Sequence, residues 1–184
     1  AKIIATNPDL VYFGGITANN PALVLRALRD AGFAGDFMGA DGIGDSAFIE
    51  EARDNSGRVY STLVGLPAAK FEGPGAAWYQ RYIARYSNDD NKDFAPFGYE
   101  AARVAISAIN RAGAKDRERI RAAVAQTKST DLAGDPILGD WSFDANGDTS
   151  LVTISVQRMG TEWTYRGLMS FDPDAKRWSF QEER

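Results

Sequence analysis

The 184-residue sequence contains no cysteine and no histidine. The chain therefore has no thiol nucleophile, no imidazole general base and no zinc site built from Cys and His, and Ser-His-Asp and Cys-His arrangements are excluded. Most familiar hydrolytic mechanisms depend on these groups, so we expect a protein that is not an enzyme and that uses no metal and no cofactor. The lack of cysteine leaves the redox compartment open, and an oxidising periplasm is compatible with it.

Long apolar runs and dense basic clusters are also missing. No stretch reaches the roughly 18 apolar residues that span a membrane, and the first ten residues lack a signal-peptide pattern, so we expect a soluble chain. The net charge is −4, and no basic patch is dense enough for contacts to a phosphate backbone, which predicts no nucleic-acid partner. With 44% hydrophobic and 25% charged residues, the chain can bury a core in one or two compact units.

The first third of the chain alternates short apolar strands with helices, the pattern of a parallel sheet with helices packed on it. We expect Asn19 and Asn20 to cap the first helix and Gly32 to end it. The strands are rich in the apolar, β-branched and aromatic residues that buried strands favour. The predicted elements are strands over residues 10–13, 37–39 and 59–63, with helices after Asn20 and over residues 46–53.

The middle of the chain predicts helices almost without strands. Each of three segments carries apolar residues at helical spacing, and a polar loop over residues 88–93 separates the first two. The predicted helices span residues 76–87, 99–112 and 117–127. On the second helix the apolar face is formed by Ala102, Ala105, Ile106 and Ile109. These helices have no sheet of their own to cover, so something they pack against is missing from this sequence.

The spacing of apolar residues changes to two from Leu151 onward, which predicts a strand. A second strand over residues 163–168 follows a Gly160-Thr161 turn, and together the two strands form a terminal hairpin. Residues 170–184 carry three aromatic side chains among charges. Two roles remain open for this last segment, an added strand or a cover over the neighbouring lobe.

Six short segments follow one another in an order and spacing that one family shares. They are residues 7–15 (NPDLVYFGG), 28–32 (LRDAG), 37–42 (FMGADG), 57–60 (GRVY), 99–102 (YEAA) and 143–148 (FDANGD). In this combination the sequence resembles the branched-chain amino-acid (Leu/Ile/Val) binding proteins, the substrate-binding components of ABC transporters. The resemblance extends from residue 3 to about residue 168.

The resemblance implies an α/β fold of the type I periplasmic binding protein class, in which two Rossmann-like lobes with parallel sheets close on a ligand. It implies that this chain is the C-terminal half. Residues 1–66 and 151–184 would form the second lobe, and residues 67–150 would form part of the first lobe without its N-terminal sheet. The missing N-terminal half, in the same precursor or as a separate chain, would then explain the helices that lack a sheet.

Open α/β sheets bind ligands at the carboxyl ends of their strands. Two loops of this chain are expected at that edge, Gly14-Gly15-Ile16-Thr17 after the first strand and Ala40-Asp41-Gly42-Ile43-Gly44 after the second. In the family that the sequence resembles, the acidic residue of the second loop pairs with the ligand's ammonium group, and Asp41 stands at that position. The alternative is that the Asp41 side chain only bonds its own backbone in an Asp-Gly turn.

The remaining site residues are less informative about the ligand. Ile16 stands where the amino-acid binders often carry an aromatic residue, and with Thr17 it would suit an amino acid, a keto acid, an amide or an aromatic acid. Phe97 and Tyr99, at the start of the second predicted helix, are further candidates that could approach the ligand cleft. The alternative is that they belong to the core, as aromatic residues at a helix start more often do. By the resemblance, the groups that hold the ligand carboxylate lie upstream of this chain.

Two motifs have simpler explanations than the sites they imitate. Residues 144–148 look like the opening of a calcium loop, but Thr149 and Ser155 stand where that loop needs Gly and Glu, so we predict a tight turn. Gly14-Gly15 matches neither the dinucleotide-binding nor the Walker pattern, which argues against nucleotide binding.

Three functions remain open. The first is an extracytoplasmic solute-binding protein that captures an amino acid or related small carboxylate, closes by hinge bending and docks on an ABC permease in the membrane. It would be periplasmic or extracellular, with or without a lipid anchor in the full precursor. The second is the ligand-sensing domain of a regulator or receptor for amides or amino acids. The third is an α/β enzyme that uses Asp41 with a Lys or Tyr, for which no nucleophile or cofactor loop is recognisable.

Overall fold

The computed structural model describes residues 2–87 and 92–183. Two compact units form within them, one from the residues up to Leu66 together with those from Thr153 onward, the other from Pro67–Val152. The assignment of these units to two lobes of a larger protein stays a prediction. Four residues of the polar loop expected at 88–93 lie outside the described part of the chain.

The first unit begins with the predicted alternation of strands and helices. Strands β1, β2 and β3 pair in parallel and in chain order, and helices α1 and α2 connect them. The bounds are Leu10–Phe13 for β1, Pro21–Asp30 for α1, Asp36–Gly39 for β2, Ser46–Ala52 for α2 and Val59–Val64 for β3. The βαβαβ order expected from the sequence is confirmed.

Helix α1 begins differently from the prediction. Pro21 occupies its first turn, as expected, but Asn20 has a left-handed backbone (φ 57°) and makes no side-chain capping bond. A capping residue normally has an extended backbone, from which its side chain reaches the free N–H groups of the first turn. The left-handed backbone of Asn20 does not direct its side chain toward these groups. The Asn19 side chain instead accepts a hydrogen bond from the Ile16 N–H at 3.1 Å. The predicted side-chain cap is therefore wrong, although the helix is present.

Three antiparallel strands complete the sheet of the first unit. Strand β4 spans Thr153–Met159, β5 spans Trp163–Asp172 and β6 spans Arg177–Glu182, and the six strands lie in consecutive order. Each of these three strands pairs antiparallel with the strand before it. The α/β class and the terminal hairpin are confirmed, but the sheet is mixed rather than parallel. Of the two roles left open for the last segment, the added strand is the one observed.

Strand β4 buries two polar residues and one apolar residue. Ser155, Gln157 and Met159 are buried, whereas Val152, just before the strand, is exposed. The Ser155 hydroxyl donates a hydrogen bond to the carbonyl of Gly65, which follows β3. A buried hydroxyl is tolerated where it is hydrogen-bonded. The alternation seen in the sequence is therefore real, but two of the three buried positions of β4 are polar.

The core of the first unit contains a row of stacked aromatic rings. The ring centroids of Phe13 and Phe37 lie 6.2 Å apart, those of Phe37 and Phe48 lie 6.5 Å apart, and those of Phe48 and Trp163 lie 6.0 Å apart. The row runs from β1 through β2 and α2 to β5. It therefore joins the parallel and antiparallel parts of the unit in one core.

The second unit contains helices and an irregular segment. The helices are α3 (Gly73–Arg85), α4 (Ala95–Ala112) and α5 (Arg117–Ala125). Helix α4 starts four residues before the predicted position because Pro96 fits its first turn, where no backbone donor is needed. No helix in the described ranges is long and apolar enough to cross a membrane.

Helix α4 buries a different face from the one its apolar residues predicted. Glu100, Val104 and Ala108 are buried, and they share a side of the helix that packs on the irregular segment. The predicted face is exposed, with Ile106 and Ile109 retaining 60% and 51% of their accessible surface. Glu100 and the neighbouring Arg103 form a hydrogen-bonded network with this segment, which holds the side of the helix with Val104 inward. The exposed face is Ala102, Ala105, Ile106 and Ile109.

Residues 144–148 form the predicted tight turn. The Asp144 carboxylate accepts hydrogen bonds from the N–H groups of Asn146 at 2.8 Å and Asp148 at 2.9 Å, and Phe143 bridges to Thr149 across the turn. These bonds, that from Asp148 above all, lower the pKa of Asp144. The carboxylate is thus used within the turn, and no group of metal-ligating side chains occurs in the described parts of the chain.

Candidate functional site

The two loops predicted at the ligand-binding edge leave the sheet side by side. Strands β1 and β2 are parallel neighbours, and Phe13 at the end of β1 lies opposite Gly39 at the end of β2. The segment Gly15–Thr17 follows β1, and the segment Asp41–Gly42 follows β2. Five of the seven predicted site residues are therefore brought to one place, at the carboxyl ends of adjacent strands.

Direct contacts hold these loops together. The Thr17 hydroxyl donates a hydrogen bond of 3.2 Å to the Gly42 carbonyl. A Cβ atom on Gly42 would lie 2.6 Å from the Ile16 side chain and 2.9 Å from the Gly15 carbonyl oxygen. Any side chain at position 42 would push the loops apart, so glycine is required there by the close approach of the two backbones.

The first loop presents Ile16 to solvent. A Cβ atom on Gly15 would lie 2.6 Å from the Phe13 ring, so the chain passes close over the end of β1. The Asn19 side chain then accepts a hydrogen bond from the Ile16 N–H, which fixes the turn. Ile16 keeps 54% of its accessible surface. An aliphatic side chain with this exposure is available to pack on a bound molecule.

Among the described residues, the Asp41 carboxylate of the second loop has no partner. Asp41 opens a single 3-10 turn, Asp41–Ile43, whose backbone is closed by a bond from the Gly44 N–H to the Asp41 carbonyl at 2.9 Å. The half-buried carboxylate itself makes no hydrogen bond or ion pair within the described residues. The Asp-Gly turn is therefore closed by a backbone hydrogen bond, and the Asp41 side chain makes no hydrogen bond to the backbone of the turn.

Ser61 supports this second loop and was not predicted from the sequence. It lies on β3, is buried, and its hydroxyl donates a hydrogen bond of 3.0 Å to the Ala40 carbonyl, the residue before Asp41. A Cβ atom on Gly44 would lie 3.1 Å from the same hydroxyl. The only signal in the sequence was a serine inside an otherwise buried strand, which by itself does not identify its partner.

Phe97 and Tyr99 belong to the second unit. Both lie in the first turns of α4. The Tyr99 ring packs against Trp78, with centroids 5.4 Å apart, and the Arg103 guanidinium lies 5.7 Å from the Tyr99 centroid. These contacts account for Tyr99 within its own unit, and a ligand-binding role for either residue stays a prediction.

The arrangement of the two loops suits a zwitterion with an apolar part. A half-buried carboxylate attracts an ammonium group and forms a charge-assisted hydrogen bond with it. The exposed aliphatic side chain of Ile16 stands beside it on the neighbouring loop.

Comparison with known proteins identifies the kind of molecule that shares these features. A family model described as periplasmic binding protein matches residues 1–157. The leucine-, isoleucine-, valine-, threonine- and alanine-binding protein of Pseudomonas aeruginosa is 31% identical over 150 residues, which cover 80% of this chain and 37% of that protein. A Leu/Ile/Val-binding protein homolog 2 of Brucella abortus is 26% identical over 151 residues, covering 82% and 38%.

Solved structures share the fold. The leucine-binding protein LivK of Thermotoga maritima superimposes with a TM-score of 0.76 at 24% identity, over 94% of this chain and 47% of that one. A solute-binding protein of an ABC transporter from Rhodopseudomonas palustris in complex with benzoate gives 0.63 at 17% identity, over 91% and 44%. The chain thus spans less than half the length of these relatives, and the resemblance found in the sequence is confirmed.

Proposed function

Since the chain belongs to the periplasmic binding protein family, we propose that it is part of the solute-binding component of an ABC importer and that the ligand is an amino acid. The observation that carries the proposal is the unpartnered Asp41 carboxylate beside the exposed Ile16 side chain, at the carboxyl ends of adjacent parallel strands. Relatives named for binding leucine, isoleucine and valine support the same class of ligand. Such a protein binds and releases its ligand unchanged and is not an enzyme.

The charge of Asp41 favours amino acids over simple acids. An ammonium group placed against the carboxylate is stabilised, whereas a ligand that carries only a carboxylate gains nothing from it and is repelled. Benzoate, found in one of the structurally similar proteins, is therefore not the ligand we expect here. The ligand's apolar side chain would pack on Ile16, and the groups that hold its carboxylate would come from the missing half.

The exposed face of α4 supports a missing half. A helix with apolar residues on two sides is stable where both sides are covered. Val104 and Ala108 are buried on one side, whereas Ile106 and Ile109 are exposed on the other. We propose that the N-terminal half of the protein, in the same precursor or as a separate chain, covers this second face. A permease partner in the membrane and a periplasmic or extracellular location follow from the proposed role.

The test compares leucine with 4-methylpentanoate, which has the same carbon skeleton without the ammonium group. Calorimetry on the full native chain should show leucine binding much more tightly, and Asp41→Asn should weaken leucine by about 10- to 100-fold, the value of one charge-assisted bond. Asp41→Asn should leave 4-methylpentanoate unchanged or improve it. Asp54→Asn, an exposed carboxylate on the short turn after α2, is the matched control.

Two results would count against the proposal. If the full native chain binds none of the branched-chain amino acids, the proposed ligand class is wrong. If leucine binds and Asp41→Asn changes its affinity no more than Asp54→Asn does, the ligand class stands and the role of Asp41 is refuted.

A further inference from the structure

The outer edge of β6 is a strand edge without a neighbour. Strand β6 pairs with β5 on one side, and no other described strand pairs with it. All six of its residues are exposed, including Trp178 at 43% and Phe180 at 51%. The family match ends at residue 157, so β6 lies beyond it. An exposed edge that carries aromatic residues is a template for pairing with another strand.

The backbone of β6 determines which residues a new strand would meet. The Glu183 N–H donates to the Arg166 carbonyl at 2.8 Å, so the odd-numbered residues of this segment bond β5. Backbone groups alternate in direction along an antiparallel strand. The N–H and C=O groups of Trp178, Phe180 and Glu182 therefore point away from β5, along the outer edge.

The sequence of β6 is complementary to itself in the antiparallel direction. A second copy related by a two-fold axis perpendicular to the sheet must pair outward residues with outward residues. When Phe180 faces its own copy, Trp178 faces Glu182, and Arg177 faces Glu183. Aromatic pairs and opposite charges directly across two strands both stabilise the pairing. The three outward residues of each copy would form six hydrogen bonds.

We propose that two copies of this protein associate through β6, with Phe180 on the two-fold axis and Arg177 of each copy opposite Glu183 of the other. The two six-stranded sheets then continue into one. The contact is distant from the Asp41 loop, because four strand spacings of about 4.8 Å separate β2 from β6, about 19 Å in all. Dimerisation and ligand binding are therefore independent, and each can be lost without the other.

Cysteine cross-linking tests the register, because residues 1–184 contain no cysteine. The full native chain is used, with any cysteine outside this segment replaced by serine. Phe180→Cys should give a disulfide-linked dimer under mild oxidation, since opposite Cα atoms lie about 5.5 Å apart, within the disulfide range. Ser179→Cys, one residue away, should remain monomeric, because its own copy would be more than about 7 Å distant. Tyr12→Cys on β1, the opposite edge of the described sheet, is the second control.

Charge reversal tests the association without a cross-link. Sedimentation velocity of the unmodified chain should show a reversible dimer, and Arg177→Glu should raise its dissociation constant about tenfold, because two ion pairs become like-charge pairs. Combining Arg177→Glu with Glu183→Arg should restore the dimer. A monomer at the highest soluble concentration would overturn the proposal. The proposal would also be overturned if Ser179→Cys or Tyr12→Cys cross-linked as efficiently as Phe180→Cys. The same holds if the combination of Arg177→Glu and Glu183→Arg did not restore the dimer.

Discussion

The buried ion pair between Glu100 and Arg103 offers a quantitative test of how the second unit is held together. The Arg103 guanidinium lies 2.7 Å from the Glu100 carboxylate, and their side chains are 13% and 5% exposed. Trp141 donates its indole N–H to the other carboxylate oxygen at 3.2 Å. The same guanidinium also donates to the carbonyls of Ala133, Gly134 and Asp135. Helix α4 is thereby tied to the irregular segment that follows α5.

The change Arg103→Ala should be strongly destabilising. It leaves a buried carboxylate without its cation, which typically costs about 3–5 kcal/mol. Trp141→Phe keeps most of the packing and removes one hydrogen bond to a charged acceptor, so we expect a loss of about 1.5–3 kcal/mol. The matched control is Arg121→Ala. Arg121 pairs with Glu118 at 2.9 Å and at the same helical spacing, but the two side chains are 80% and 78% exposed. The expected loss of stability is therefore at most about 0.5 kcal/mol.

The assay is urea unfolding of each variant followed by circular dichroism, with the denaturant slopes compared before free energies are calculated. The predicted order of stability is Arg121→Ala above Trp141→Phe above Arg103→Ala. If Arg103→Ala is no less stable than Arg121→Ala, burial of the pair does not determine its contribution, and the reasoning is refuted.

Two further predictions concern the first unit. Ser61→Ala removes the hydrogen bond to Ala40 and should lower the urea midpoint by an amount equivalent to about 0.5–1.5 kcal/mol, whereas Ser179→Ala, whose hydroxyl is exposed and 3.4 Å from its acceptor, should have little effect. The hydrogen bond from Arg58 lowers the pKa of Asp36 in the folded state, so this carboxylate contributes stability above its unfolded pKa of about 3.9 that is lost as pH falls through the lower folded value. The Asp36→Asn variant should therefore melt at a lower temperature than the unaltered protein at neutral pH, and this difference should shrink as the pH falls below about 4. A difference in melting temperature that stays constant with pH would contradict this assignment.

Local signals in the sequence were sufficient for the strands β1 to β3 and the helices between them. The apolar run before Gly14 predicts β1 with its observed bounds, and Pro21 with Gly32 brackets α1. These signals act within a few residues, through backbone conformation and strand propensity. The same reasoning failed for the Asn20 cap, because Asn20 also ends the Thr17–Asn19 turn, where its backbone is left-handed.

The candidate site was predictable where topology alone determines it. Parallel neighbouring strands necessarily bring the loops of Ile16 and Asp41 to one edge, so the order of elements was enough. The supporting contacts were not predictable, because they join residues far apart in sequence. The hydroxyl of Thr17 meets the Gly42 carbonyl 25 residues away, and the hydroxyl of Ser61 meets Ala40 across 21 residues.

Helix α4 shows why a periodic pattern is not sufficient to identify a buried face. The rule that apolar spacing marks the inward side assumes one buried side, but α4 has apolar residues on both. The network of Glu100 and Arg103 decides which side faces the described residues, and it selects the one with fewer large apolar residues. The stripe with Ile106 and Ile109 is consequently the part of the sequence pattern that stays exposed. The proposed N-terminal half, by covering this stripe, would bury both apolar sides of α4. Within the described residues only the side with Val104 is buried.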